Sequence, residues 1–297
     1  MLFTRPVTAV MRQRYSCRNY LKIPLQAGQL SALQQVLQNL PPGPFGVLER
    51  FELAAATGED QRALRRLSTY GFIRNPPAFI IGATRPAPFD LENFGYRMEL
   101  LVLHATDLEL GTCWLGGTFS RSAFMREIRA AEEESIPAVC SVGRIHPDSS
   151  AVDQTAVTGQ GASSQYRLGW ESLFFDGEFG AVLSPQAAGD YAGALEMVRI
   201  GPSASNKQPW RIVKQGDLWH FYLRRTKGYR EWWLGRLMAI ADMQRIDLGI
   251  AMCHFALAAG ETRLAGSWEV SPPSGSAGVA FDRSGNLAEY IVTWRAK

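Results

Sequence analysis

Cysteine is scarce in this chain: four among 297 residues, at Cys17, Cys113, Cys140 and Cys253. They form no Cys-x-x-Cys and have no histidine at ligand spacing, which argues against a zinc or iron–sulfur centre. Cys253 and His254 are neighbours, but adjacent side chains on a helix diverge by about 100° and do not make a nucleophile–base pair. The four histidines, His104, His146, His220 and His254, lie far apart and read as structural. Charge of one sign is also lacking. With 31 Lys+Arg against 28 Asp+Glu the formal balance is +3, too small to imply nucleic acid or another polyanion. Long apolar runs are absent too. Residues 76–82 and 249–260 are too short or too interrupted to span a bilayer, and read as a buried strand and a buried helix. Arg5 puts a charge inside what would be the apolar core of an export signal, so a cytoplasmic protein is expected.

Two nucleotide fingerprints fail as well. The stretch from Gly201 to Lys207 has Asn206 before its lysine and Gln208 after it, where a P-loop needs glycine and a magnesium-binding hydroxyl. Gly159-Gln-Gly161 continues to Ser164 and follows no strand signal, so it reads as loop and not as a dinucleotide turn.

What is present is ample apolar material and two polar motifs. Hydrophobic residues make up 46% of the chain, enough for one large unit or two ordinary domains. In Ile200-Gly-Pro-Ser-Ala-Ser-Asn-Lys-Gln-Pro-Trp210, Pro202 fixes φ, Ser203, Ser205 and Asn206 offer short polar side chains, and Pro209 disfavours helix at Gln208. This is a ligand-gripping loop or a polar surface turn, and it leads into the strand-like Trp-Arg-Ile-Val-Lys. In Arg14-Tyr-Ser-Cys-Arg18 two guanidiniums bracket Ser16 at alternate positions. An extended backbone would put all three on one face, suited to an anion, although a solvated basic segment has the same composition.

Periodicity predicts helices at about 26–39, 60–68, 92–110, 120–133, 186–198 and 240–260, with strands near 48–55, 77–83, 138–143, 210–214, 218–223 and 288–295. The order repeats. Setting Trp268 over Trp114 shifts the numbering by 154 and puts Gly249 on Gly95, Met252 on Met98 and Ala259 on Ala105. Downstream, 138–142 is matched with 289–293. The expected fold is α+β, one unit of two pseudo-repeats (about 1–146 and 166–297) around mixed or antiparallel sheet and long core helices, joined by a Ser/Thr/Gly/Ala-rich connector near 147–165.

Taken in order, Arg14-x-Ser16-x-Arg18, Gly71-Phe-Ile-Arg-Asn-Pro-Pro-Ala-Phe-Ile-Ile, Leu110-Gly-Thr-Cys-Trp-Leu-Gly-Gly117, Pro137-Ala-Val-Cys-Ser-Val-Gly143 and Pro202-Ser-Ala-Ser-Asn206-x-Gln208-Pro-Trp210 resemble the FMN-dependent nitroreductase family, in its bacterial single-chain branch of putative TM nitroreductases. Ordinary members are homodimers with two interfacial flavin sites, each joining the Arg-x-Ser-x-Arg segment of one subunit to the Pro-Ser-x-x-Asn segment of the other. Here the first motif stands only in the first half, since the second has Phe174-Phe-Asp-Gly-Glu-Phe179. The second motif stands only in the second half, since the first has Pro41-Pro-Gly-Pro-Phe-Gly46. The resemblance therefore implies a fused pseudo-dimer with one flavin site, a monomer in which a further homodimer stays open.

It also implies roles. Arg14, Ser16 and Arg167 would hold the FMN phosphate, and Arg18 would sit near the pyrimidine edge, where a cation favours the reduced anion. Pro202, Ser203, Asn206 and, more weakly, Gln208 would line the ribityl and dimethylbenzene side. Gly116 and Gly117 would approach flavin N5, or else form a helix C-cap. Trp114 and Trp210 read as core anchors before stacking partners, and Trp232-Trp233 as a substrate cover or a packing patch. The implied activity is an FMN oxidoreductase that takes hydride from NADH or NADPH and passes electrons to a nitroaromatic, quinone or similar small acceptor by ping-pong turnover, with no obligatory protein acid or base. The alternative is a flavin-binding or flavin-free pseudoenzyme with a closed substrate face.

Overall fold

The computed structural model describes residues 3–56, 63–149, 167–227, 240–273, 279–281 and 287–297. The expected connector falls almost wholly outside these residues, as do Gly159–Gly161 and Trp232-Trp233.

Two sheets carry the fold. The first holds β1 (Arg50–Ala55), β2 (Ala78–Ala83), β3 (Gly111–Leu115) and β4 (Val139–Gly143) in the order β1-β2-β4-β3, all antiparallel. The second holds β5 (Phe174–Asp176), β6 (Trp210–Gln215), β7 (Leu218–Arg224), β8 (Gly266–Glu269), β9 (Val279–Phe281) and β10 (Leu287–Ala296). Its path is β5-β6-β7-β10-β8 with β9 on β10, and β5 is parallel to β6. The run β6-β7-β10-β8 repeats β1-β2-β4-β3 strand for strand. β2 is buried at every position, which explains why Ala78–Ala83 reads as a continuous apolar run without alternation.

Helices fill the space between the sheets. They are α1 (Val7–Gln13), α2 (Ala27–Gln38), α3 (Asp90–Asp107), α4 (Arg121–Glu127), α5 (Ala192–Ile200) and α6 (Met243–Glu261), besides a one-turn helix at Pro185–Ala188. α3 and α6 are the long ones, buried along most of their length. They sit at equivalent places, between β2 and β3 and between β7 and β8. Glycine decides how they cross. A Cβ on Gly95 would meet the Ile246 carbonyl, and one on Gly249 would meet the Glu92 carbonyl. Shifting Gly95 and Glu92 by 154 gives Gly249 and Ile246, so the crossing is reciprocal, as a two-fold axis between the halves requires.

The same shift holds in the sheets. Trp114 pairs with Cys140, and Trp268 pairs with Trp294. The last strand therefore matches 138–142 with 292–296, three residues beyond the match at 289–293 expected from hydropathy. Other differences are local. β3 was not expected, because Gly111-Thr-Cys-Trp-Leu follows a helix closely and is only five residues long. α1 was not expected either. The helix expected over 120–133 stops at Glu127, and of the one expected over 60–68 the described part is a 3-10 turn at Ala63–Arg66. Among the described residues no helix is long and apolar enough to cross a membrane, and no group of His, Cys, Asp or Glu could hold a metal ion. All four cysteines are buried free thiols.

Candidate functional site

Arg14 leaves α1 in extended conformation, and the following residues pair briefly with three different segments: Ser16 with Thr112, Asn19 with Arg74, Tyr20 with Ile145. Cys17 turns into the core, fully buried, while Arg14 and Ser16 keep part of their surface and Arg18 is exposed. This is the alternation that the extended Arg-x-Ser-x-Arg segment requires.

Arg14 is the decisive side chain. It lies deep, and burial lowers its pKa while the charge of Glu99 opposes that fall. Among the described residues its guanidinium makes no hydrogen bond and no ion pair. Arg167 lies beside it. Burial, then Arg14, then Arg199 bring the Arg167 pKa down to about 10, and two guanidiniums this close repel each other. Two neighbouring cations, one of them with no counter-ion in contact among the described residues, carry a repulsion that an anion would relieve.

The second-half loop meets them there. Arg167 Nη1 donates to the Gly201 carbonyl at 2.5 Å, and the Leu168 N–H donates to Gln208 Oε1 at 2.8 Å. Within the loop, Gln208 N–H donates to Ser203 Oγ at 2.9 Å and Gln208 Nε2 to the Asn206 carbonyl at 3.1 Å. Ser205, Asn206 and Gln208 all have positive φ, at 49°, 54° and 48°. Such strain in three side-chain-bearing residues persists only where surrounding contacts over-determine the loop. Beneath it, the Ala204 N–H donates to Asp247 Oδ1 on α6 at 2.9 Å. Burial pushes the Asp247 carboxyl well above the ordinary range, against the Ala204 hydrogen bond. Its Oδ2 has no partner among the described residues.

Gly116 and Gly117 follow β3, not a helix, so the helix C-cap reading fails. They form the seam between halves: a Cβ on Gly116 would run into Met243, and one on Gly117 would meet Ile240 at 3.3 Å. Trp210 is fully buried, a core anchor as expected. Trp114 donates its indole N–H to Glu99 Oε2 at 2.8 Å.

Arg167, Ser203, Asn206 and Gln208 lie on the hydrogen-bond chain just given, Pro202 sits within it between Gly201 and Ser203, and Arg14 is linked to Arg167 through charge. Ser16 and Arg18 are joined to it by the extended backbone, and Gly116 and Gly117 through α6. Glu99, His254, Asp247 and Arg199 were not anticipated. Asp247 alone had a sequence signal, since the 154-residue shift sets it on Asn93. A separate cleft of about 590 Å³ is lined by Lys22, Ile23, Ser68, Thr69, Asn75 and Pro77 among others, and by none of the candidate residues. Lys22 is its one charged lining residue, against the two neighbouring guanidiniums of Arg14 and Arg167.

The family model described as "Putative TM nitroreductase" matches residues 6–259. The chain belongs to this family. Among solved structures, one from Thermotoga maritima described as a putative nitroreductase is 17% identical, with 97% of this chain and 94% of that chain covered at a TM-score of 0.57. At that identity the likeness is one of fold. A nitroreductase family protein from Clostridium difficile is 17% identical over 56% of this chain and 98% of its own, TM-score 0.41. A putative nitroreductase from Desulfovibrio desulfuricans, in complex with FMN, is 20% identical over 50% and 90%, TM-score 0.40. No curated protein matches the chain.

Proposed function

We propose that this nitroreductase-family chain is an FMN-dependent oxidoreductase with one flavin site, built from Arg14, Ser16, Arg18, Gly116, Gly117 and Arg167 on one side and Pro202, Ser203, Asn206 and Gln208 on the other. The observation that carries the reading is Arg14, a half-buried side chain whose guanidinium makes no hydrogen bond among the described residues, set beside Arg167. A phosphate dianion offers oxygens that match guanidinium forks and relieves the repulsion between them. The donor set therefore fits the phosphate end of FMN, and the strained, over-determined loop fits the polyol chain.

When bound, the flavin supplies hydride and electron transfer, and the protein's share is binding, orientation and electrostatics. Arg14, Arg167 and the Ser16 hydroxyl hold the phosphate. Arg18 adds positive charge on the same extended segment, which favours an anionic ring. Gly116 and Gly117 keep side chains out of the seam with α6. Since both halves of the site lie on one chain, the reading needs no second copy, and the division into pseudo-repeats at about 1–146 and 166–297 follows from it.

The test is spectroscopic. Purified protein should carry flavin that bleaches when NADH or NADPH is added without oxygen and recovers with a nitroaromatic or quinone. Bound flavin that neither nicotinamide reduces would favour a flavin-storing pseudoenzyme. Absence of flavin, with no uptake of added FMN, would overturn the reading.

A further inference from the structure

Between the two halves of the site runs a buried hydrogen-bond chain that the proposed function leaves unused. It starts at β3, which carries the Arg-x-Ser-x-Arg segment through the Cys17 N–H on the Thr112 carbonyl at 2.8 Å and leads into Gly116 and Gly117. Trp114 of β3 donates its indole N–H to Glu99 Oε2 on α3 at 2.8 Å. The other carboxyl oxygen, Oε1, meets His254 Nε2 on α6 at 2.9 Å, and both side chains are fully buried. His254 Nδ1 stands 2.9 Å from the Met197 carbonyl of α5; a carbonyl only accepts, so Nδ1 carries a hydrogen and donates it. That contact fixes where α5 ends. The Gly201 N–H would continue the helix by closing on Met197, but it turns to the Val198 carbonyl at 3.0 Å, and the imidazole takes the carbonyl left over. Gly201 then opens the loop from Pro202 to Gln208, and its own carbonyl accepts from Arg167 Nη1. A Cβ on Gly201 would lie 3.6 Å from His254 Nδ1, so the ring also packs against the residue that starts the loop.

The pseudo-dyad supplies an internal control. Shifted by 154, Glu99 falls on Cys253, His254 falls on Leu100 and Trp114 falls on Trp268. Cys253 and Leu100 are buried, and Trp268 Nε1 is buried with no partner among the described residues. The same crossing of α3 and α6 therefore packs without the acid and the imidazole, so packing does not account for them. Among the described residues such a chain stands only on the side where the Arg-x-Ser-x-Arg and Pro-Ser-x-x-Asn segments meet.

We propose that Glu99 and His254 are positioning residues of the flavin site, a brace that holds β3 and the start of the second-half loop at the spacing the cofactor needs. The role rests on the FMN reading. Its test measures the FMN affinity of the folded full chain. The double variant Glu99→Cys with His254→Leu copies the pair already packed across the dyad, so it should fold, but it leaves the Met197 carbonyl and the Trp114 N–H without partners. FMN affinity should fall about tenfold. Glu99→Gln accepts from Trp114 through its amide oxygen and donates an amide N–H to His254 Nε2, so it keeps the chain and should bind FMN as the wild type does. Because the brace reaches Arg167 through Gly201, the double substitution should cost less in an Arg167→Ala background, the non-additivity expected of residues in one network. Should the double variant fail to fold, Trp114→Phe, which removes the first donor of the chain, should weaken FMN about threefold. Unchanged FMN affinity in the folded double variant or in Trp114→Phe would overturn the brace while leaving the flavin site standing. So would a loss in Glu99→Gln as large as in the double variant, or full additivity with Arg167→Ala. A wild-type protein that takes up no FMN would overturn the flavin reading itself, and the brace with it.

Discussion

The two sides of the pseudo-dyad differ in who partners their polar groups. On the first-half side, Asn93 Oδ1 accepts from the Phe45 N–H at 2.9 Å, and Asn93 Nδ2 donates to Glu49 Oε1 at 2.7 Å and to the Val47 carbonyl at 3.2 Å. Arg97 closes the set by donating to Glu49 Oε2 at 2.8 Å and to the Pro41 carbonyl at 3.1 Å, while Phe45 stacks on Phe89 with centroids 4.5 Å apart. On the second-half side, Asp247 occupies the position of Asn93 and makes the same contact to its loop, Ala204 N–H to Oδ1. There the equivalence stops. Ala251 replaces Arg97, and among the described residues Oδ2 has no partner and Arg14 no counter-ion in contact. One side is satisfied by its own chain; the other leaves polar groups over. Fusion allows this divergence, because a homodimer must repeat each substitution on both sides.

The largest expected effect breaks the open side. Arg14→Ala with Arg167→Ala removes two charge-assisted contacts, each worth about 1.5–3 kcal/mol, so FMN affinity should fall by roughly two to four orders of magnitude. Circular dichroism should show the fold unchanged, and unaltered flavin occupancy would sink the site assignment. Next comes the closed side. Burial raises the Glu49 pKa while Arg97 and Asn93 hold it down, so Arg97→Ala strands a buried acid at a cost of about 3 kcal/mol. Denaturant unfolding should register that loss, with the flavin content per folded chain unchanged. Lost flavin in this variant would mean that the two sides are not separable.

Smaller effects sharpen the comparison. Ser203→Ala removes the acceptor of the Gln208 N–H and should weaken FMN by about fivefold, in line with about 1 kcal/mol for a neutral hydrogen bond; titration by flavin fluorescence reads it. Asp247→Asn changes least at low pH, where both side chains are neutral, and gains on the wild type as pH rises. The folded carboxyl binds its proton more tightly than the unfolded one. Stability is therefore greatest below the ordinary carboxylate pKa and falls as pH rises towards the folded value, by about 1.4 kcal/mol per pH unit within that window. Asn removes this slope. Stability curves of the two proteins that stay parallel would show Asp247 ionised in the fold.

Much of this was legible in the sequence, for physical reasons. The 154-residue shift is visible because Gly95, Gly249, Trp114 and Trp268 sit where helices cross or strands pair, and such positions tolerate few residue types. The Arg-x-Ser-x-Arg and Pro-Ser-x-x-Asn segments are local, so their spacing survives in one dimension. β3 was missed because five residues between a helix and a glycine pair carry too little periodicity. The slip in the last strand has a related cause, since β10 carries an irregularity between Tyr290 and Val292 and its burial does not alternate cleanly. The Glu99–His254 pair had no local signal at all. Its partners are 155 residues apart in sequence, and only the crossing of α3 and α6 brings them together.

The central claim is one flavin site on a chain with two pseudo-equivalent halves, and counting tests it most directly. Denaturing the FMN-saturated protein and measuring released FMN against protein concentration should give one FMN per chain. Two per chain would show that the first-half side is open after all, and none would leave the Arg14 recess without its ligand; either result contradicts the account.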